Sequence, residues 1–174
     1  MIESPSEHPP AQRPARRRVR LGRVEIDVLT FDQALDAIAA LVADKQGGAV
    51  FTPNVDHLVM VDHDPRFRDA YDAATLSLAD GMPILWGARL LGSPLPAKIS
   101  GSDLVMPLME RAARRGWRVY LLGGAQGVAA KAAEKLVERF PTMLIAGTDA
   151  PMLDMNAPAA SRAAVVARIR EARP

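Results

Sequence analysis

Apolar positions recur along this chain with two periods, two and about 3.6, and the switches between them mark its elements. Residues 19–29 alternate and carry the β-branched Val24, Ile26 and Val28, predicting an N-terminal strand or hairpin. Thr30 followed three positions on by Gln33 has the spacing of a capping box. Leu35, Ile38, Ala39, Leu41 and Val42 then give the apolar stripe of a helix reaching about residue 45, where Gly47 and Gly48 stop it. A short apolar run at 50–52 leads into Pro53 and Asn54. Two short helices are predicted at 55–61 and 65–74, the second opened by Asp64 as N-cap and Pro65 as first helical residue. A second apolar run, 76–79, breaks into Asp80-Gly81 before a helix from about 83 to 91. A Pro-stiffened loop at 92–96 and a helix at 104–114 follow. The strand 118–122 ends in a Gly-rich turn at 123–127, then come a helix at 128–140, a strand at 143–146 and an Ala-rich helix to about 172.

Short apolar runs bounded by Gly, Pro and Asn read as buried strands, and open α/β sheets bind ligands in the crevice beyond the strand C-termini. Thr52 and Asp80 are therefore expected to face one cleft. The alternation of strand and helix predicts the α/β class: a Rossmann-like, mostly parallel sheet with helices on both faces, in a single domain.

Composition changes this picture at the N-terminus. A chain of 174 residues, 49% hydrophobic and only 5% aromatic, builds a substantial core from Ala, Val and Leu. It has no Cys, which rules out a disulfide scaffold and cysteine-ligated metal. Residues 1–20 hold five arginines against two glutamates, a local +3 that exceeds the whole-chain +2, so the basic charge belongs to the tail and the rest is near −1. Residues 1–18 combine Pro, Ser and Arg with almost nothing to bury, and a disordered basic arm is expected there, with the folded domain at 19–174. The arm reads as a solvated segment, although its arginines would also be drawn to anionic lipid by roughly 1 kcal/mol each. Basic charge confined to a tail, without aromatic platforms, argues against a nucleic-acid partner. No stretch approaches the roughly 20 apolar residues of a spanning helix, and the start lacks the apolar core of a signal peptide, so a soluble or peripheral cytoplasmic protein is expected.

Several residues carry candidate chemistry. The turn Gly123-Gly124-Ala125-Gln126-Gly127, between a strand and a helix start, offers backbone N–H groups and a positive dipole end suited to a diphosphate. Its spacing is G-G-x-x-G, not G-x-G-x-x-G, and Thr142-Met143-Leu144 stands where a dinucleotide site would place its ribose-binding acid, which disfavours an NAD-dependent oxidoreductase. A tight structural turn is the alternative. Asp80, directly after a buried run, is expected to be partly desolvated and able to act as a general base, or else to cap the following helix. Thr52 and Asn54 read equally as turn residues bonding their own backbone. Asp62-His63-Asp64 has the D-x-D spelling of some metal sites, but it falls between helices and Asp64 has a capping task, so no metal site is expected. His57 and His63 lack a triad partner and read as surface or capping residues.

In order along the chain stand T-P-N-V-D-H-L at 52–58, D-P-R-F-R at 64–68, L-A-D-G-M-P at 78–83, L-P-x-K-I-S-G-S-D-L at 95–104 and V-Y-L-L-G-G at 119–124, with Gly127 after them. With these motifs the chain resembles the WecG/TagA/CpsF family of bacterial glycosyltransferases from about residue 19 onward. The resemblance implies an inverting transfer of an N-acetylmannosamine-type sugar from a UDP donor to a polyprenyl-diphosphate-linked sugar in cell-surface polysaccharide synthesis. The expected location is the inner face of the plasma membrane, as a peripheral protein. Asp80 matches the family's catalytic base and Thr52 its active-site threonine. Lys98 and the turn glycines Gly123, Gly124 and Gly127 are the implied phosphate donors, with Asn54, Asp56 and Gly101 as further substrate contacts. The UDP-sugar is a substrate, no cofactor is expected, and a homo-oligomer is compatible with the resemblance. The position of Lys98 is usually Arg in relatives, so a point charge replaces a bidentate fork. Relatives also continue beyond the position of Pro174, so a domain lacking part of its site and membrane contact is expected. The alternative function is a non-catalytic remnant that binds nucleotide sugar or a partner subunit.

Overall fold

The computed structural model describes residues 16–44, 47–151 and 159–174. Thirteen elements follow in chain order among them: β1 (Arg18–Leu21), β2 (Val24–Asp27), α1 (Phe31–Ala43), β3 (Val50–Phe51), α2 (Val55–His63), α3 (Pro65–Asp72), β4 (Leu76–Ser77), α4 (Met82–Leu90), α5 (Gly101–Arg115), β5 (Arg118–Leu122), α6 (Val128–Arg139), β6 (Leu144–Asp149) and α7 (Ala159–Ala172). The α/β class expected from the alternation holds. Among the described residues the strands pair two by two, β1 with β2 antiparallel, β3 with β4 and β5 with β6 parallel. By its internal contacts the chain divides after Leu104 into two compact units.

In the first unit, the β1–β2 hairpin turns through Gly22 at φ 59, a conformation that costs glycine nothing and suits the first central position of a two-residue hairpin loop. Its alternation places Val19, Leu21, Val24 and Ile26 inward, against Val61 of α2, Ile84 and Ala88 of α4, and Leu95. Arg18, assigned by composition to the basic arm, instead opens β1. Its Nε donates to Asp27 Oδ1 at 2.9 Å and its Nη2 to the Thr75 carbonyl at 3.2 Å. Arg17, also assigned to the arm, accepts at its carbonyl from Val28 N at 3.0 Å, and residues 1–15 of the arm lie outside the described residues. Thr30 and Gln33 form the capping box reciprocally, with Thr30 N donating to Gln33 Oε1 at 2.9 Å and Gln33 N to Thr30 Oγ1 at 3.3 Å. Asp64 caps α3 as its sequence grammar requires, accepting from Arg66 N at 2.8 Å.

Pairing of β3 with β4 runs past the assigned strand ends. Leu78 N donates to Phe51 O at 2.8 Å and Asp80 N to Pro53 O at 2.9 Å, while Ile99 N donates to Ala79 O at 2.7 Å on the other side. Leu76, Ser77, Leu78 and Ala79 are all buried, as expected for a short run enclosed on both faces.

In the second unit, β5 and β6 align Val119 with Ile145 and then Tyr120 with Gly147, so Ala146 is an extra residue that bulges the ladder. β6 therefore runs through Gly147-Thr148-Asp149, beyond the strand predicted at 143–146. Ala113, Leu136 and Met143 form a small buried cluster with Met109, Phe140 and Ile145 packed on it.

Candidate active site

Three chain segments of the first unit meet at the C-terminal ends of β3 and β4. The ladder brings Thr52-Pro53 beside Ala79-Asp80, and the bond from Ile99 to Ala79 lays residues 98–101 along the opposite edge. Gly101 lies against Thr52, where a Cβ on it would stand 3.4 Å from Thr52 Oγ1, an ordinary contact. Thr52, Asp80, Lys98 and Gly101 are thus gathered, as the sequence predicted for the first two.

The alternative task for Asp80 is not the one adopted. The N-cap of α4 is Gly81, at φ 99, and no side chain caps that helix. Asp80 is half-buried and its carboxylate makes no hydrogen bond among the described residues, which leaves its lone pairs open to a substrate. Thr52 is half-buried, and its side chain makes no hydrogen bond among the described residues. For Asn54 the capping alternative is realised: Oδ1 accepts from His57 N at 3.1 Å and starts α2. Asp56 is exposed in the first turn of α2.

Lys98 Nζ donates to Asp103 Oδ2 at 2.8 Å. That bond holds the Lys98 ammonium above its usual pKa, and the Asp80 carboxylate adds a smaller push in the same direction, which places Asp80 within electrostatic reach of Lys98. The bond from Lys98, helped by Ser100, holds the Asp103 carboxyl below its usual value. Ser100 is buried, and its Oγ accepts from Asp103 N at 3.4 Å to start α5 a turn earlier than its apolar stripe indicates.

The turn at 123–127 belongs to the second unit. Gly123, Gly124 and Gly127 take φ of 107, 80 and 81, values that favour glycine, and Gly127 caps α6 without a side chain. Val128 N, the first N–H of α6, donates to Ala125 O at 3.0 Å, and no side chain caps the N–H groups that follow it, which suits them to phosphate at a helix start.

The other polar candidates have structural tasks. Asp62 pairs with Arg23 at 3.1 Å and Asp64 caps α3. His57, expected at the surface or in a cap, instead lies in a half-buried aromatic group with Phe51, Phe67 and Tyr71, its Nδ1 2.7 Å from the Tyr71 hydroxyl. Sequence reasoning gave no role to Asp103, although it stands within the same motif as Lys98 and five residues after it. It also passed over Asp27, whose carboxylate joins the hairpin to β4 by accepting from Ser77 N at 2.8 Å.

Comparison with known proteins adds two findings. Residues 19–174 match the glycosyl transferase WecG/TagA/CpsF family. The chain is also 30% identical over 103 residues to the N-acetylglucosaminyldiphosphoundecaprenol N-acetyl-beta-D-mannosaminyltransferase of Bacillus spizizenii, a match covering 59% of this chain and 40% of that relative.

Proposed function

The chain belongs to the glycosyl transferase WecG/TagA/CpsF family, and on that premise we propose that it serves an inverting transfer of an N-acetylmannosamine-type sugar from a UDP donor to a polyprenyl-diphosphate-linked sugar. The reading places it in cell-surface polysaccharide synthesis, peripheral to the inner face of the plasma membrane. Its main support is one observation: Asp80 is half-buried beside Thr52 and Lys98 at the strand ends, with a carboxylate that neither caps a helix nor bonds a neighbour.

In this scheme the acceptor hydroxyl loses its proton to the Asp80 carboxylate as its oxygen attacks the anomeric carbon. The bond from that carbon to the UDP oxygen breaks on the opposite face, inverting the centre. A positioned base of this kind contributes roughly 10²–10⁴-fold. The Thr52 hydroxyl orients the acceptor, and Lys98 meets charge developing on the departing diphosphate. In the second unit, taken by itself, the start of α6 after Gly127 has no side-chain cap and is suited to phosphate. Asn54 and Asp56 are assigned to substrate contacts, Asn54 through the part of its amide not used in capping.

The test is transfer from UDP-N-acetylmannosamine to a lipid-linked N-acetylglucosamine acceptor, with Asp80→Ala compared at equal folded fraction. The substitution is expected to lower turnover at least 100-fold. Unchanged turnover would remove Asp80 from the base role. UDP binding by calorimetry without any transfer would favour the second reading, a nucleotide-sugar-binding module that does not turn over.

A further inference from the structure

Lys98 enters the site with a partner already attached. Asp103, which receives its ammonium, sits in the first turn of α5, where its own N–H is tied to Ser100 Oγ and Ser100 Oγ lies 3.1 Å from Ser102 Oγ. Ser100 is only 6% exposed, so the carboxylate stands on a fixed base. The ammonium bonds Asp103, while the 2.7 Å bond from Ile99 N to Ala79 O lays the Lys98 segment beside Asp80.

We propose that Asp103 is a positioning residue that holds Lys98 away from Asp80. The inference rests on the reading of Asp80 as the base and Lys98 as a contact to the donor diphosphate. An ammonium has three N–H donors. With one spent on Asp103, two remain for the diphosphate, and Asp80 keeps its lone pairs for the acceptor. Without Asp103 the Lys98 ammonium is left beside the segment that carries Asp80, and a pair formed there would occupy the base and the phosphate contact together. Charge alone predicts the opposite sign, because removing an anion beside a cation should strengthen attraction for a diphosphate.

The opposed signs allow a direct test with UDP as probe, by calorimetry on the wild-type chain, Asp103→Asn, Asp103→Glu, Lys98→Met and the Asp103→Asn/Lys98→Met double variant. Asp103→Asn is expected to weaken UDP binding roughly fivefold to tenfold. The double variant should bind no more weakly than Lys98→Met alone, and Asp103→Glu should recover most of the loss. Binding that is unchanged or tighter in Asp103→Asn overturns the proposal, as does a double variant whose losses simply add. Because Asp103 also lies at a helix start, Asp103→Ser, which keeps a side chain suited to that position, is a second variant expected to behave as Asp103→Asn does. The Lys98 side-chain titration, followed by NMR, is expected to move down toward the ordinary lysine range in Asp103→Asn. A titration that does not move overturns the pairing whatever the nucleotide result. If the wild-type chain binds no UDP, the donor reading fails. A Lys98 titration that still moves would then show a real ion pair without the donor role, which also overturns the proposal as stated.

Discussion

The Asp27 carboxylate is 3% exposed and draws donors from both sides, Arg18 on the neighbouring strand and the Ser77 amide fifty residues on. Removing one partner of a buried pair leaves the other uncompensated, at a cost of about 3–5 kcal/mol. Asp27→Ala is accordingly expected to lower unfolding stability by about 3 kcal/mol or more in urea titration, with Asp27→Asn losing less because it still accepts from Ser77. At the candidate site Lys98 and Asp103 are exposed, so their effect is on pH dependence. The pKa of Asp103 is depressed in the fold, so its contribution is present above the ordinary carboxylate value and is lost as pH falls through the folded one. Stability of the wild-type chain between pH 5 and 3 should therefore fall more steeply than that of Asp103→Asn. Equal slopes would show that the Lys98 pair contributes nothing measurable in solution.

Elements that depend on neighbours in sequence were legible, and those that depend on distant partners were not. Thr30 with Gln33 and Asp64 with Pro65 announce helix starts because each cap closes within three residues. The runs 50–52 and 76–79 announce buried strands because their apolar length does. The bulge at Ala146 has no such local signal. Next to it the Tyr120 ring lies across Gly147, where a Cβ would come within 2.6 Å of the ring. Gly147→Ala should thus destabilise the fold by roughly 1–3 kcal/mol by thermal unfolding, and a smaller residue at Tyr120 should relieve much of that. His57 was misread for the same reason, since its partner Tyr71 is fourteen residues away on another helix. Burial raises the Tyr71 pKa to about 12. The neutral phenol is therefore favoured by folding, and its contribution is complete below about pH 10 and declines as pH rises toward 12. Tyr71→Phe should flatten that alkaline decline. In the site itself, the ends of two apolar runs were enough to pair Thr52 with Asp80, but which acid would cap a helix and which would stay open depended on the turn at Gly81.

At the scale of the whole molecule, α4 departs from a simple inside-outside pattern. Ile84 and Ala88 are buried, yet Met82, Trp86 and Leu90, spaced four apart on the opposite side, are exposed by 47%, 63% and 89%, and Leu91 by 64%. Residues so exposed contribute little to folding, so the pair Leu90→Ser, Leu91→Ser should leave stability within about 0.5 kcal/mol while reducing self-association in light scattering. A large loss of thermal stability would show that this face is covered in the working protein. Among the described residues no helix is long and apolar enough to cross a membrane. The hairpin bears on a practical matter as well. The family match begins at Val19, and shortening the chain to that residue for expression would seem harmless. It would delete Arg18 and keep Asp27, so the shortened protein would retain every apolar contact of its first sheet and still fold poorly, for want of a single guanidinium.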